Sequence, residues 1–452
     1  MVGRVVPWVE RAIWWHVYPL GFTGAERAAL PPGEPVRHRL RHLARWLDYA
    51  VELGCNGLLL GPIFAAETHG YDTVDHFRID PRLGDDEDFD ALVAAARARG
   101  VRIALDGVFN HVGRGFPAFA AAEAALAAGA GGPGTPAARW FKRDPKTGDF
   151  AVFEGHGHLV ELDHDQQAVI SYVTDVTRYW LARGAAGWRL DAAYAVPARF
   201  WARVLPAVRE TFPDAWFSGE MIHGDYAAYA AEAGLDSVTQ YETWKAIWSS
   251  LSDRNFYELD HALGRHNWFC DRGLLPQTFV GNHDVTRLAT ALDDERHVGH
   301  AVAVLFCIAG MPSVYYGDEQ AFRGLKEHRA GGDDEIRPKF PASPRELAPY
   351  GWPTYRLHQR LIGFRRRHPW LVTARTATEH LSNTAMAIRL VPSAGTASAG
   401  GADQALLLLN TGDDQVKFPV DPGELDVAVI PDPADPPPDP LIVAPHSWTI
   451  LA

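Results

Sequence analysis

Between residues 13 and 368, short apolar runs alternate with longer amphipathic stretches. This alternation restricts the fold more than any other feature, because it is the pattern of parallel strands joined by helical crossovers. The runs cover 13–18, 57–60, 102–108, 187–191, 216–219, 237–241, 278–281 and 313–316. Segments such as 37–53, 87–99, 166–183, 197–211, 298–309 and 354–367 carry apolar residues at helical spacing between them. Eight such units predict a (β/α)8 barrel. One connection, from Val108 to Gln166, is too long for a barrel loop and holds an Ala-rich helical segment (119–128), a Gly/Pro stretch (129–136) and Trp140-Phe141. Connections of that length are usually functional, so we expect a small subdomain over the barrel mouth. A second charged, Gly- and Pro-rich excursion spans 318–351. After Pro369 the texture changes to alternating runs (385–390, 404–409, 416–420, 441–443, 448–451) with coreless loops at 393–403 and 431–440, which predicts a small antiparallel sandwich. The expected division is 1–111 with 160–368 as barrel, 112–159 as inserted subdomain and 369–452 as β-sandwich domain.

Composition narrows the function classes. With 47% hydrophobic and 22% charged residues the chain is ordinary globular material, and no apolar run is long enough to span a bilayer. Glu10, Arg11 and His16 fall where a signal peptide needs its apolar core, so the sequence carries no mark for export and a cytoplasmic protein is expected. Cys55, Cys270 and Cys307 are too scattered for a disulfide framework or a zinc site. A net charge of −13 argues against nucleic acid as partner. Fifteen tryptophans suit core filling and also stacking on sugar rings. Nothing in the sequence sets an oligomeric state.

In a barrel of this kind the C-terminal strand ends carry the chemistry. Those ends hold Asp106, Asn110 and His111 after the third run, Arg189 and Asp191 on the fourth, Glu220 after the fifth, and His283 and Asp284 after the seventh. In Gly187-Trp188-Arg189-Leu190-Asp191-Ala192 the strand period puts Arg189 and Asp191 on one face, where the guanidinium is expected to hold the carboxylate ionised. Alone, that is also how an ordinary buried ion pair reads. Four acids converging with an arginine and two histidines mark a site instead. Two carboxyl groups, one ionised and one protonated, are what a retaining glycosidase needs. Glu220, after Trp216-Phe217-Ser218-Gly219, sits where desolvation and neighbouring acids raise a pKa, as a general acid requires. Asp284 is placed to hold sugar hydroxyls, and His111 and His283 to donate hydrogen bonds to them.

In order and spacing, Asp106-Gly107-Val108-Phe109-Asn110-His111, Gly187 to Asp191, Gly219-Glu220 and Phe279-Val280-Gly281-Asn282-His283-Asp284 resemble the four signature regions of the α-amylase family of retaining glycoside hydrolases. His69-Gly70-Tyr71-Asp72, Leu162-Asp163 and Gly310-Met311-Pro312-Ser313-Val314-Tyr315-Tyr316-Gly317 match further pieces. The resemblance implies the barrel, the subdomain inserted after strand 3, the C-terminal β domain and a retaining mechanism on α-glucosidic bonds. It implies Asp191 as nucleophile, Glu220 as acid/base and Asp284 as transition-state stabiliser. Arg189, His111 and His283 would complete the innermost sugar subsite, Tyr71 its stacking platform, and Asp72 and Arg287 its rim.

Departures from the family pattern carry their own expectations. Many calcium-dependent members have a histidine four residues after the nucleophile and a lysine before it; here those positions are Ala195 and Tyr194. Before Leu162-Asp163 the insertion offers only Asp144 and Asp149, too few oxygens for a hard cation that takes six or more. No cofactor is expected; calcium dependence is left open, with few acids to hold the family's structural calcium. The expected substrate is a maltooligosaccharide or other small α-glucan, with Ala192 after the nucleophile resembling enzymes of the α-1,4 type. Transglycosylation through the same covalent intermediate is the alternative enzyme, and exo or endo action is left open. A noncatalytic sugar-binding relative should have lost one of the three acids, and none is lost.

Overall fold

The computed structural model describes residues 6–128, 135–329, 331–393, 403–434 and 437–452. The expected Gly/Pro stretch at 129–136 and the loop at 393–403 lie mostly outside them. Eight strands form one parallel sheet: β1 (Trp14–Val17), β2 (Gly57–Leu60), β3 (Arg102–Gly107), β4 (Gly187–Leu190), β5 (Trp216–Gly219), β6 (Ser237–Val238), β7 (Gln277–Phe279) and β8 (Met311–Tyr315). Their order is β6-β5-β4-β3-β2-β1-β8-β7. A single bridge, Thr239 to Gln277, brings the two edges together and closes the barrel. All eight expected strands are present, each within a few residues of its expected ends.

Strand alternation sorts the side chains into two populations. Outward residues such as Trp15, Leu58, Ile103, Trp188, Phe217 and Val314 join the helices in the main core. At the bottom of the barrel interior, Trp14, Leu59, Ala104, Trp216 and Met311 pack into a second cluster, with Trp14 and Trp216 stacked at 4.9 Å. One pleat higher the interior turns polar, with His16, Asp106, Arg189 and Ser218 all buried. The apolar floor supplies stability, at about 3–5 kcal/mol per large aromatic truncated, and the polar layer above it is where charge is held.

The expected helix over 37–53 is two short ones, Leu40–Ala44 and Leu47–Leu53. Between β6 and β7 the chain makes two helices absent from the expected set, Tyr241–Ser252 and Phe256–Asp271. The excursion after β3 forms a lobe: helix Pro117–Ala127 packs Phe119 on Phe141 and Phe150 (5.1 and 5.0 Å), and His111–Val112 pairs antiparallel with Val160–Glu161. Beyond the barrel, β9 (Arg375–Leu381), β10 (Ala385–Val391), β11 (Ala405–Asn410), β12 (Val416–Lys417), β13 (Val427–Val429), β14 (Ile442–Val443) and β15 (Ser447–Leu451) follow. They make a five-stranded sheet, β9-β10-β11-β15-β13, faced by the β12-β14 pair across Ala387, Leu406, Leu408, Phe418 and Val443. Sequence reasoning missed β9, whose seven residues are all partly or fully exposed, and β13. Among the described residues no helix is long and apolar enough to cross a membrane.

Candidate active site

Parallel register places the central charges. Asp106 on β3 lies directly across from Arg189 on β4, so one terminal nitrogen of the guanidinium reaches both Asp106 oxygens, at 2.8 and 2.7 Å. The same nitrogen donates to Asp191 Oδ1 at 3.0 Å. The other terminal nitrogen sits 2.7 Å from Glu220 Oε1 and 4.0 Å from Asp284 Oδ2. Four carboxyl groups from four strand ends thus surround one arginine. Backbone bonds set two of them: Asp191 N–H donates to Gly107 O (3.0 Å) and Glu220 N–H to Leu190 O (2.9 Å), which extends the ladder just past the strands. The chain then turns sharply at Ala192, a buried non-glycine residue at φ 44°, ψ 38°. This left-handed conformation costs roughly 1–2 kcal/mol and aims the Ala192 N–H at Glu220 Oε2, 2.9 Å away.

The cluster is over-supplied with acid. Asp106, Asp191, Glu220 and Asp284 face two guanidiniums, Arg189 and Arg337, the latter 3.0 Å from Asp284 Oδ1. Burial pushes Asp106 up to about 6 and Asp191 and Glu220 each up to about 7, with Arg189 opposing the rise in all three. The expectation that Arg189 alone holds Asp191 ionised is therefore corrected. One guanidinium is divided among several acids, and desolvation outweighs its share. Burial and the neighbouring acids therefore favour the protonated forms of Asp191 and Glu220, which share protons and titrate as a pair. Asp284 behaves differently: burial opposes its charge, yet His283 and the two guanidiniums hold it well below the usual carboxylate range. Burial pushes His283 itself down to about 4, so at neutral pH the arginines supply the charge and His283 a hydrogen bond, Nε2 to Asp284 Oδ2 at 2.9 Å. Asp284 is also the open side of the cluster, with 31% of its side chain exposed against 10% or less for Asp106, Asp191 and Glu220.

The other expected residues divide. Tyr71 is in the cluster: its hydroxyl donates to Asp106 Oδ2 at 3.1 Å and contacts His283 Nε2. His111 lies behind Tyr71, with Nε2 on the Tyr71 carbonyl (3.1 Å), Nδ1 against the Asn110 amide and its ring stacked at 4.7 Å on Phe153 of the inserted lobe. Asp72 and Arg287 do not reach the cleft. Asp72 is buried and accepts both the amide and the hydroxyl of Thr68. Arg287 is fully enclosed and donates to Asp318 and to the carbonyls of Tyr316 and Ile336. Gly281 permits this second arrangement, because a Cβ there would stand 2.1 Å from Asp318 Oδ2.

Four residues at or beside the acids escaped sequence reasoning. Arg337, from the 318–351 excursion, also donates to the His283 carbonyl (2.8 Å) and pairs with Asp333 at 3.0 Å. Tyr241 donates to Glu220 Oε1 (3.2 Å) and accepts from Asn282 (2.8 Å). It closes the run 237–241, so the strand-end rule could have found it. On the lobe side, Glu154 accepts from the Tyr194 hydroxyl at 2.9 Å and, next to it, Phe153 covers His111.

Among the described residues, two of the lobe aspartates that could serve the family's structural calcium are engaged by neighbouring donors. Asp144 Oδ1 accepts from the Lys146 amide, Asp163 from Asp165 N–H and the Gln166 amide, and the Asn110 amide nitrogen faces His111. Asp144 Oδ1 and both oxygens of Asp163 are thus spent within their own turns, which withdraws them from the six or more that a hard cation takes.

A family model described as "Alpha amylase, catalytic domain" matches residues 17–389. The chain belongs to the α-amylase family. Among curated relatives, a cyclomaltodextrinase of Geobacillus thermopakistaniensis is 29% identical, the match covering 73% of this chain and 58% of the relative. An intracellular maltogenic amylase of Bacillus subtilis is also 29% identical, over 70% of this chain and 56% of the relative. The chain therefore spans under three fifths of the length of these relatives. Among solved structures, the cyclic α-maltosyl-(1→6)-maltose hydrolase of Arthrobacter globiformis in complex with maltose is 26% identical, covers 98% of this chain and 99% of its own, and has a TM-score of 0.79. The α-amylase-family fold thus runs end to end through this chain, sandwich included.

Proposed function

We propose that the protein is a retaining glycoside hydrolase that cleaves α-glucosidic, chiefly α-1,4, bonds of maltooligosaccharides. The observation that carries this reading is the single guanidinium of Arg189 shared by Asp106, Asp191 and Glu220, two of which have pKa values raised to about 7. Asp191 Oδ2, which has no hydrogen-bond donor among the described residues, attacks the anomeric carbon as Glu220 passes its proton to the departing glycosidic oxygen. The C1–O bond to the leaving sugar breaks and a glycosyl ester of Asp191 forms. Water then attacks the same carbon, Glu220 takes its proton, and the ester bond breaks to free Asp191 with the α configuration retained. Donors on Glu220 outnumber those on Asp191 in the free protein. Substrate entry redistributes the shared proton, since it seats an oxygen acceptor beside Glu220 and developing positive charge beside Asp191. Asp284, kept ionised by the arginines, holds ring hydroxyls and favours the oxocarbenium-like state, and no step requires a metal.

The maltose complex of the Arthrobacter enzyme supports a short α-glucan as substrate. The name of the Bacillus subtilis relative supports action inside the cell. The test is hydrolysis of maltotriose to maltoheptaose followed by NMR of the anomer first released, with isomaltose and panose as arms for α-1,6 linkages and longer products scored as transfer. The α-anomer should appear first, and Asp191→Asn should lower kcat by about 10⁴-fold or more. Release of the β-anomer, or activity that survives the substitution, overturns the reading.

A further inference from the structure

We propose that the seam between the barrel and the C-terminal sandwich contains a zinc-type metal site formed by Asp294, His297 and His446. Asp294 precedes the 3-10 turn Glu295–His297 that leads into helix Val298–Cys307, and His446 stands in the turn before β15. The three side chains come from segments about 150 residues apart, yet their ligand atoms all lie within 4.8 Å of one another. His297 Nε2 is 3.0 Å from His446 Nδ1, which is 3.7 Å from Asp294 Oδ2. Tetrahedral zinc with ligands at 2.0–2.1 Å spaces those ligands roughly 3.3 Å apart, so the two distances straddle the required one.

The polar partners fit the same reading. His446 Nε2 is 2.9 Å from Asp413 Oδ1, whose other oxygen is held by Arg254 at 3.0 Å. A proton on Nε2 donating to that carboxylate leaves the Nδ1 lone pair free to face His297 and Asp294. This is the carboxylate–histidine–metal arrangement that orients metal-binding imidazoles. Both imidazoles are largely buried and Asp294 is partly exposed, which leaves the fourth coordination position towards solvent. Two nitrogens and one oxygen select a borderline transition metal over calcium or magnesium. Arg296 opposes the site, since its guanidinium bonds both Asp294 oxygens. Its side chain is 58% exposed, and metal binding would exchange its bonds to Oδ2 for water. Without metal, His297 Nε2–H donates to His446 Nδ1. Binding shifts that proton to His297 Nδ1, so the metal takes up neutral imidazoles and selects one tautomer of His297. The bound ion would tie the segment entering a barrel helix to the last strand of the sandwich and so couple the two parts without entering the hydrolytic chemistry.

The experiment uses the untagged full chain, stripped by chelation and titrated with zinc chloride in two buffers of different ionisation enthalpy. One equivalent should bind with nearly the same heat in both buffers, since the imidazoles release no net proton, the unfolding midpoint should rise, and cobalt(II) in place of zinc should give the visible bands of a tetrahedral site. His446→Gln should abolish the stoichiometric binding. Asp413→Asn, at a position whose side chain is 73% exposed, should weaken it by roughly 10–100-fold. Absence of one-to-one zinc binding, or binding of unchanged affinity in Asp413→Asn, overturns the site even if His446→Gln fails to fold. None of these readouts depends on hydrolytic activity.

Discussion

Two enclosed arginines, Arg189 and Arg287, sit near the C-terminal rim of the same barrel and do opposite things. Arg287 faces one acid, Asp318, and spends its remaining donors on the Tyr316 and Ile336 carbonyls. Its charge is matched, its bonds are structural, and the rings of Tyr315 and Tyr316 lie 4.6 and 5.3 Å from the guanidinium carbon. Arg189 donates to carboxyl groups and leaves them short of positive charge. The difference teaches that burial of charge does not by itself mark a site. Several acids converging on one guanidinium at an open cleft do; a raised carboxyl pKa alone does not, since burial also pushes Asp318 up to about 6 and Glu319 up to about 7.

Removing each arginine should break the comparison in a different way. Arg189→Met is expected to lower kcat/KM by about 10³-fold or more, since the group that positions both Asp191 and Glu220 is gone. The acids it leaves can take up protons instead, so a midpoint of unfolding at pH 5 close to wild type is the companion expectation. Arg287→Met should do the reverse, costing about 3–5 kcal/mol in chemical denaturation because a carboxyl group and two carbonyls lose their donor, while the folded fraction keeps kcat/KM within about tenfold. Equal losses of activity in the two variants would remove the distinction.

A subtler expectation follows from the raised pKa of Asp191. Its folded value, about 7, lies above the unfolded value of about 3.9. Between those limits the folded state binds more protons than the unfolded one, so raising the pH from 4 to 7 withdraws stability. The slope is at most about 1.4 kcal/mol per pH unit for each such group. Asp191→Asn carries no such cost. Its stability relative to wild type should be least favourable near pH 4 and improve steadily to pH 7, as urea titrations across that range would show. A pH-independent difference would mean that Asp191 is ionised throughout.

The contrast between the two arginines also shows what was legible in the sequence. Strand ends are local, so the eight strands, the four acids and Arg189 could be placed from apolar runs and the period of two. Arg287 sits three residues after Asp284, and the family resemblance put it on the rim. Its helix, Leu288–Ala291, starts immediately afterwards and turns the side chain beneath Tyr316 instead. Arg337 takes the rim position, and nothing local distinguishes it from the other charges of a long loop whose path depends on tertiary packing. Asp72 failed for a related reason: four residues from Thr68, its carboxylate satisfies its own turn before it can serve a ligand. The level of Asp191's pKa was out of reach because it depends on how many acids share one guanidinium, which is a property of register across strands.

The smallest expected effect lies where the lobe meets the barrel. Tyr194, three residues after Asp191, donates to Glu154, and Phe153 beside that acid stacks on His111. Glu154 is a non-glycine residue at φ 48° and is exposed, so its turn is strained and has little packing to hold it. The hydrogen bond from Tyr194 is then the specific tie that fixes this part of the lobe against the strand bearing the nucleophile. Removing it in Tyr194→Phe keeps the ring and deletes one bond to a charged group, worth about 1.5–3 kcal/mol at most and less at a solvent-facing position. Because neither side chain bonds a carboxyl group of the cluster, and the Tyr194 N–H that donates to the Glu220 carbonyl (3.1 Å) is kept in the variant, the loss should appear as a rise in KM of a few-fold with kcat nearly unchanged, and it should be larger for maltopentaose than for maltotriose if the lobe borders the subsites beyond the bond that is cut. A fall in kcat with KM unchanged would instead make Tyr194 part of the machinery around Glu220, and would move the boundary between the balanced and unbalanced regions outward by one residue shell.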